Sequence, residues 1–292
     1  MELKTGWCHL IALIIVSIWG ITFISTKVLL FEGLSPADIF FYRFALAYIG
    51  IWFFGKSRLF SKSVRDELIF VLIGITGGSA YFLTENFALD YTLASNVALL
   101  VCTAPLLTAL FSRIFLKSEK IGRSLVQGSL VALLGVALVV FNGRFILQLN
   151  PLGDLLSVSA AMCWAIYTIL LKKVTSRYSI LFITRKVFFY GLLTILPVFI
   201  FFPLKTDTAI LLQPDVIGNL LFLGVVASLL CFYFWNMVVK YLGAVQTTNY
   251  VYVVPVVTLI ASYLILDEPI TTIAIVGAIL ILAGVWWAEK KK

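Results

Sequence analysis

The chain has 292 residues, of which 62% are hydrophobic and only 12% are charged. Because soluble domains are roughly half apolar and about a quarter charged, this composition excludes a water-soluble fold. The formal net charge is +8, but the basic residues lie in short runs between apolar segments and not along one soluble face. They indicate membrane topology, and we expect no nucleic-acid partner.

Ten apolar segments are long enough to cross a bilayer, since a spanning helix needs about 20 mostly apolar residues. In chain order they cover residues 6–31, 37–55, 67–88, 94–116, 123–141, 154–172, 179–203, 215–240, 245–266 and 270–288. The segments lack the alternation of polar and apolar residues that is typical of membrane barrels. The sequence therefore predicts an all-α integral membrane protein of ten transmembrane helices, surrounded by membrane lipids.

Lys and Arg are divided unevenly between the two ends of these helices, and cytoplasmic loops carry the excess. Sixteen lie on one side: Lys4, Lys56, Arg58, Lys62, Arg65, Arg113, Lys117, Lys120, Arg123, Lys172, Lys173, Arg177, Lys240, Lys290, Lys291 and Lys292. The other side has only Arg144 and Lys205. This bias predicts that both termini are cytoplasmic, in a bacterial inner (plasma) membrane.

The two halves of the sequence repeat each other at an offset of about 145 to 150 positions. The matches are Trp19 and Lys27 with Trp164 and Lys172, Asn86 and Tyr91 with Asn236 and Tyr241, Pro105 with Pro255, and Glu119, Gly128 and Gly135 with Glu268, Gly277 and Gly284. We predict one five-helix repeat in residues 1–145 and a second in residues 146–292. An odd number of spans inverts the second copy, which is the arrangement of many secondary transporters.

The residues of these repeats resemble the EamA family of the drug/metabolite transporter superfamily. The resemblance rests on Trp19-Gly20 in the first helix, the run Tyr91 to Ser95 ahead of Pro105, and a Glu-x8-Gly-x6-Gly pattern in both halves. It covers nearly the whole chain, although Pro105 and Glu119 are one residue further apart than Pro255 and Glu268. The resemblance implies a ten-helix carrier that exports or exchanges amino acids or other metabolites through a central cavity.

Ionisable side chains inside the spans are costly and are functional candidates for that reason. Lys27, Arg43 and Glu85 fall in the half of the membrane away from the basic side. We expect Glu85 to pair with Arg43 or Lys27, either closing an external gate or titrating with protons; the alternative is that all three extend to the interface. Arg185 and Lys186 in helix 7 are candidates for a matching inner gate or for lipid anchors.

Pro105 and Pro255 lie near the middle of their helices, where a proline kinks the helix and frees a carbonyl group. They predict the position of the central cavity. The candidate substrate-binding residues near that depth are Trp19, Thr22, Tyr81, Asn96, Thr103, Trp164, Tyr167, Thr168, Asn236, Asn249 and Tyr252. Each of them could instead make a helix-to-helix hydrogen bond or ordinary packing contacts. Gly128, Gly135, Gly277 and Gly284 are seven apart in each half, and we expect them to let helices 5 and 10 pack closely.

Residues Gly50 to Ser57 match the nucleotide-binding pattern G-x4-GK-[ST] but lie at the end of an apolar helix, without the strand that a phosphate loop needs. We expect no bound nucleotide, no other cofactor and no metal site. His9 is the only histidine, and no catalytic motif of a membrane enzyme is present, so an enzyme is not expected. The predicted function is secondary transport of small metabolites by alternating access; the alternatives are a lipid flippase and a non-transporting adaptor. The sequence leaves the oligomeric state open.

Overall fold

The computed structural model describes residues 5–55, 59–92, 94–116, 122–141, 150–201, 203–204, 207–266 and 270–289. Within these residues nine helices are long and apolar enough to cross a membrane, and a tenth apolar helix, Thr272–Ala288, is shorter. The predicted all-helical membrane fold with ten helices is therefore confirmed. Asn96 has its backbone in a helix, but its side chain lies outside the described structure, as do Glu119 and Glu268.

The helices are numbered here as ten membrane segments. They are α1 (Thr5–Phe31), α2 (Pro36–Ile51, then a 3-10 turn Trp52–Phe54), α3 (Val64–Tyr91), α4 (Ala94–Val101 and Ala104–Phe115), α5 (Arg123–Phe141), α6 (Pro151–Val174), α7 (Ile180–Ile195, then Val198–Phe201), α8 (Pro214–Leu242), α9 (Ala244–Asn249, Tyr250–Val253 and Val254–Leu266) and α10 (Thr272–Glu289). We call the side on which α1 begins the N-terminal face and the other side the opposite face.

Capping side chains define where several helices begin. Ser35 precedes Pro36 and accepts a hydrogen bond from the Asp38 amide at 3.1 Å at the start of α2. Ser179 accepts one from the Phe182 amide at 3.3 Å at the start of α7, the counterpart of α2 in the second repeat. Ser hydroxyls satisfy amides that lack a partner in the first helical turn, which fixes these two starts.

Corresponding helices of the two repeats are interrupted in the same way. A π-helical segment occupies Ile75–Ser79 in α3 and Phe222–Leu230 in α8. In α4 the helix breaks just before Pro105, and in α9 a 3-10 turn, Tyr250–Val253, comes just before Pro255. Because π-segments and pre-proline breaks leave backbone groups outside the regular ladder, they are frequent where a membrane helix is buried in protein or borders a cavity.

The helices α5 and α10 pack directly against each other through glycines. A Cβ atom on Gly128 would lie 2.5 Å from the carbonyl oxygen of Gly284, and one on Gly135 would lie 2.6 Å from that of Gly277. The close packing predicted for these four glycines is therefore confirmed.

The centre of the bundle is aromatic. Phe44 contacts Phe40, Phe82, Phe188 and Phe232, with ring centroids 4.4–5.9 Å apart. Many large apolar side chains on the outside are exposed, as is expected for a surface that faces lipid.

Candidate functional site: a central cavity

A cavity of about 60 Å³ lies between the two halves of the bundle. Its walls come from α1, α2, α3, α4, α6, α8 and α9, so both repeats contribute. The lining residues are Trp19, Thr22, Phe23, Arg43, Tyr81, Phe82, Glu85, Ala98, Val101, Cys102, Ala104, Trp164, Phe232, Val251 and Val254.

Aromatic rings form one wall of the cavity. Trp19 meets Trp164 edge to face with ring centroids 5.2 Å apart, and the ring of Tyr81 lies 5.1 Å from that of Trp164. Phe232 lies 6.1 Å from both Trp19 and Trp164. The wall therefore joins α1 and α3 of the first repeat to α6 and α8 of the second, and it offers a large apolar surface to a solute.

The π-segment of α8 holds two of the cavity residues in place. The indole Nε1 of Trp19 donates to the carbonyl oxygen of Ala227 at 3.1 Å, and Nε of Arg43 donates to Oγ of Ser228 at 3.0 Å. The carbonyl of Ala227 lies inside the π-segment, so the irregular helix supplies the acceptor that orients Trp19.

Two side chains of opposite charge lie on the cavity. Arg43 is 3% exposed, and its guanidinium carbon is 4.2 Å from the centre of the Phe82 ring. Glu85 is 9% exposed and accepts a hydrogen bond from the Tyr81 hydroxyl at 2.7 Å. No ion pair within 4.0 Å joins Glu85 to Arg43 or to Lys27 among the contacts of the described residues, so neither of the two predicted pairs is formed in this conformation.

Four of the eleven candidate binding residues line the cavity, namely Trp19, Thr22, Tyr81 and Trp164. The Nε1 atom of Trp164 is buried and has no hydrogen-bond partner among the described residues. Thr22 donates to the carbonyl oxygen of Trp19 at 2.7 Å. The indole of Trp164 thus has a hydrogen-bond donor that this conformation leaves unused.

The other described candidates are part of the packing around the cavity. Tyr167 donates to Oδ1 of Asn236 at 2.5 Å, and Nδ2 of Asn236 donates to Thr184 at 2.9 Å. The hydroxyl of Thr168 donates to the carbonyl oxygen of Trp164, and the hydroxyl of Thr103 donates to that of Leu100. The last two, Asn249 and Tyr252, are at most 1% exposed.

The predicted prolines lie beside the cavity. Pro105 follows Ala104, which lines the cavity and opens the second part of α4. Pro255 follows Val254, which also lines it. The two prolines thus mark corresponding positions of the two repeats at one site.

Lys186 is part of an ionic cluster at the N-terminal face. Its Nζ pairs with Glu67, and the Tyr190 hydroxyl donates to the same carboxylate oxygen. Arg177 pairs with Asp66 at 2.6 Å, and the Tyr178 hydroxyl donates to the other oxygen of Asp66 at 2.6 Å. Burial and the hydrogen bond to Asp66 raise the pKa of Tyr178, so it remains a neutral donor. The cluster joins α3 of the first repeat to the start of α7 and the turn before it.

Two further charged candidates lie apart from the cavity. The guanidinium carbon of Arg185 is 5.1 Å from the centre of the Trp52 ring, at the N-terminal face. Lys27 is exposed near the end of α1 at the opposite face.

Several site residues were missed by the sequence argument. Phe23, Phe82 and Phe232 line the cavity, but an aromatic residue without a polar atom looks the same in a sequence whether it faces lipid, core or cavity. Asp66 and Glu67 were missed because only the basic residues were counted at the helix ends. The available signal was Ser63, whose hydroxyl caps the helix at the amide of Asp66.

Within the described residues, ten apolar helices, seven of which wall the cavity, define a polytopic membrane protein. A sequence profile described as the EamA-like transporter family matches residues 6–141 and 151–288, once in each half. The chain belongs to this family, which confirms the resemblance inferred from its residues.

Curated proteins and a solved structure resemble the chain along nearly its whole length. An uncharacterised transporter of Archaeoglobus fulgidus is 29% identical over 97% of this chain and 98% of its own. A probable amino-acid metabolite efflux pump of Escherichia coli (strain K12) is 25% identical over 98% of this chain and 95% of its own. A crystal structure with 18% sequence identity covers 98% of this chain and 96% of its own with a TM-score of 0.77, which shows the shared fold.

Proposed function

We propose that the protein is a secondary transporter that exports or exchanges small amphipathic solutes, such as amino acids, across a bacterial inner membrane. The observation that carries this proposal is the cavity itself, which is walled by both repeats and combines aromatic rings with two buried charges. The similarity to a probable amino-acid metabolite efflux pump supports the same class of solute.

Alternating access is proposed as the mechanism, with the N-terminal face in the cytoplasm. The excess of Lys and Arg on that face supports this orientation. The ion pairs of Glu67 with Lys186 and of Asp66 with Arg177 close that face between the halves. Arg43 and Glu85 lie in the half of the bundle nearer the opposite face. The conformation is therefore best described as closed to the cytoplasm.

Movement of residues 1–145 against residues 146–292 would break the ionic cluster and expose the cavity to the cytoplasm. Inverted repeats suit such a cycle, because two similar scaffolds allow two states of similar energy. Each charge-assisted hydrogen bond of the cluster contributes up to about 3 kcal/mol, and binding of a solute has to offset their sum.

Uptake into liposomes that contain the purified protein tests this function. Radiolabelled amino acids, nucleosides and sugars would be screened with and without a proton gradient. We expect saturable uptake of amino acids. Trp164→Ala should lower the apparent affinity about tenfold, because the substitution removes an aromatic ring and a hydrogen-bond donor from the cavity wall.

The matched control is Trp287→Ala on α10, where the indole is 43% exposed and lies away from the cavity. It should leave uptake unchanged. Absence of uptake of every solute, together with accelerated movement of fluorescent lipids, would replace the proposal with the flippase alternative.

A further inference from the structure

The guanidinium group of Arg43 has hydrogen-bonding capacity that the protein does not use. Its Nε donates to Ser228, and one face of the group lies over Phe82. Within the described chain its two terminal amino groups form no hydrogen bond and no ion pair, although the side chain is only 3% exposed. These amino groups form the planar fork that matches a carboxylate.

The carboxylate of Glu85 is also only partly satisfied. One oxygen accepts the hydrogen bond from Tyr81, and the described chain provides no donor to the other. A buried carboxylate without full hydrogen bonding is costly in the membrane interior, so its retention calls for a ligand or for water.

The two charges lie on one cavity without forming an ion pair. A protein that needed only to neutralise them would place them in contact, since direct pairing is what reduces the cost of burial. Instead Arg43 on α2 is held by Ser228 and Glu85 on α3 is held by Tyr81. The arrangement leaves a cationic group and an anionic group on the same cavity, each held by a different neighbour.

The ligand that satisfies both groups carries a carboxylate and an ammonium group close together. We propose that Arg43 binds the carboxylate and Glu85 binds the ammonium of one zwitterionic solute, whose apolar substituent lies against Trp19 and Trp164. This inference rests on the proposed transport function and narrows its substrate class to zwitterions with an apolar side chain. A solute with a single charge leaves one of the two buried charges unpaired, and an uncharged sugar or nucleoside leaves both unpaired.

The site divides recognition between the repeats. Both charged groups belong to the first repeat, whereas Trp164 and Phe232 belong to the second. A solute with both a zwitterionic head and an apolar side chain therefore contacts both halves at once, which a smaller zwitterion such as glycine does not.

Binding to the purified full-length protein in detergent, measured by calorimetry, tests this inference. Three probes of similar shape are compared: leucine, 3-methylbutylamine, which lacks the carboxylate, and 4-methylpentanoate, which lacks the ammonium. Binding is chosen because the two analogues cross membranes unaided. Leucine should bind at least about tenfold more tightly than either analogue, since each lost charge-assisted hydrogen bond weakens binding by that factor or more.

Substitutions should then remove one preference at a time. Glu85→Gln should abolish the preference for leucine over 4-methylpentanoate and keep the preference over 3-methylbutylamine. Arg43→Gln should abolish the preference for leucine over 3-methylbutylamine and keep the preference over 4-methylpentanoate. Arg43→Lys keeps the charge without the planar fork, so it should weaken the binding of leucine and of 4-methylpentanoate alike. Each result is a ratio of affinities measured on one preparation, so a partly misfolded fraction does not change it.

The matched control is Asp90→Asn, which removes an exposed carboxylate five residues further along α3. It should leave all the ratios unchanged. Equal binding of the three probes, no binding of leucine, or unchanged ratios in Glu85→Gln would overturn the inference. The proposed transport function is tested independently of this inference. If only the recognition of zwitterions were wrong, the liposome assay would still show uptake of another solute.

Discussion

Asn236 shows how a polar residue in a membrane helix can hold the scaffold together without touching the cavity. It is fully buried on α8 and connects Tyr167 on α6 with Thr184 on α7. All three helices belong to the second repeat, and two of them border the cavity. These hydrogen bonds therefore fix the positions of the second-repeat helices relative to one another.

Asn236→Leu should lower stability and leave solute affinity unchanged. The substitution removes two interhelical hydrogen bonds and leaves Tyr167 without its acceptor, at a cost of about 1–3 kcal/mol in total. Thermal unfolding in detergent and calorimetric binding of leucine would measure the two effects. A loss of affinity at unchanged stability would instead make Asn236 a binding residue.

The sequence identified the charged residues of the site more readily than its aromatic ones. Arg43 and Glu85 stand out because an ionisable group inside a span is expensive, and the structure places both on the cavity. Phe82 and Phe232 carry no such signal. Polar residues such as Asn236 and Asn249 had two possible roles, and only the packing of neighbouring helices distinguishes them.

At the scale of the helix, glycines decide how closely α5 and α10 approach. The two helices contact each other along their lengths, with Gly128 against Gly284 and Gly135 against Gly277. The pairing links the last helix of one repeat to the last helix of the other.

Gly135→Ala should destabilise the protein by about 1–3 kcal/mol, because its Cβ would lie 2.6 Å from the Gly277 carbonyl oxygen and 2.7 Å from the Ile281 amide nitrogen. Thermal unfolding in detergent measures the change. The matched control is Gly218→Ala in α8, where no atom lies within 4 Å of the added carbon. That substitution should be neutral or stabilising by up to about 1 kcal/mol, and an equal loss in both variants would contradict the close-packing argument.

The number and order of the helices could be predicted because each span is long, apolar and repeated. The interruptions within them were only partly predictable. Pro105 and Pro255 signalled the irregular parts of α4 and α9, but the π-segments of α3 and α8 contain no proline. A π-segment depends on which neighbour approaches it, such as Tyr167 beside Gly77, and a single sequence does not show that contact.

At the scale of the whole molecule, the ionic cluster and the cavity lie at different depths between the same two halves. Lys186 is 3% exposed as a side chain and its partner Glu67 is 20% exposed, so water screens this pair only in part. Arg177 is 47% exposed and its pair with Asp66 is worth at most about 1 kcal/mol. In the proposed cycle, the Glu67–Lys186 pair is therefore the main electrostatic contribution to closure of the N-terminal face.

Glu67→Gln should shift the protein toward the conformation that is open at the N-terminal face. Cys102 lines the cavity and reports on this shift in a variant whose other three cysteines, Cys8, Cys163 and Cys231, are replaced by alanine. Its reaction rate with a membrane-impermeant methanethiosulfonate would be measured from each side of the membrane. The ratio of the rate at the N-terminal face to the rate at the opposite face should rise at least about tenfold, since losing one charge-assisted hydrogen bond changes the equilibrium by about 1.5 kcal/mol or more.

Two further variants separate this effect from a general loss of charge. The double variant Glu67→Lys with Lys186→Glu restores opposite charges and should bring the ratio back toward that of the parent. Glu32→Gln removes an exposed carboxylate at the opposite face and should leave the ratio unchanged. If Glu67→Gln also left it unchanged, the ionic cluster would be a static link between the repeats, and closure of the N-terminal face would depend on apolar packing of α3 against α7 alone.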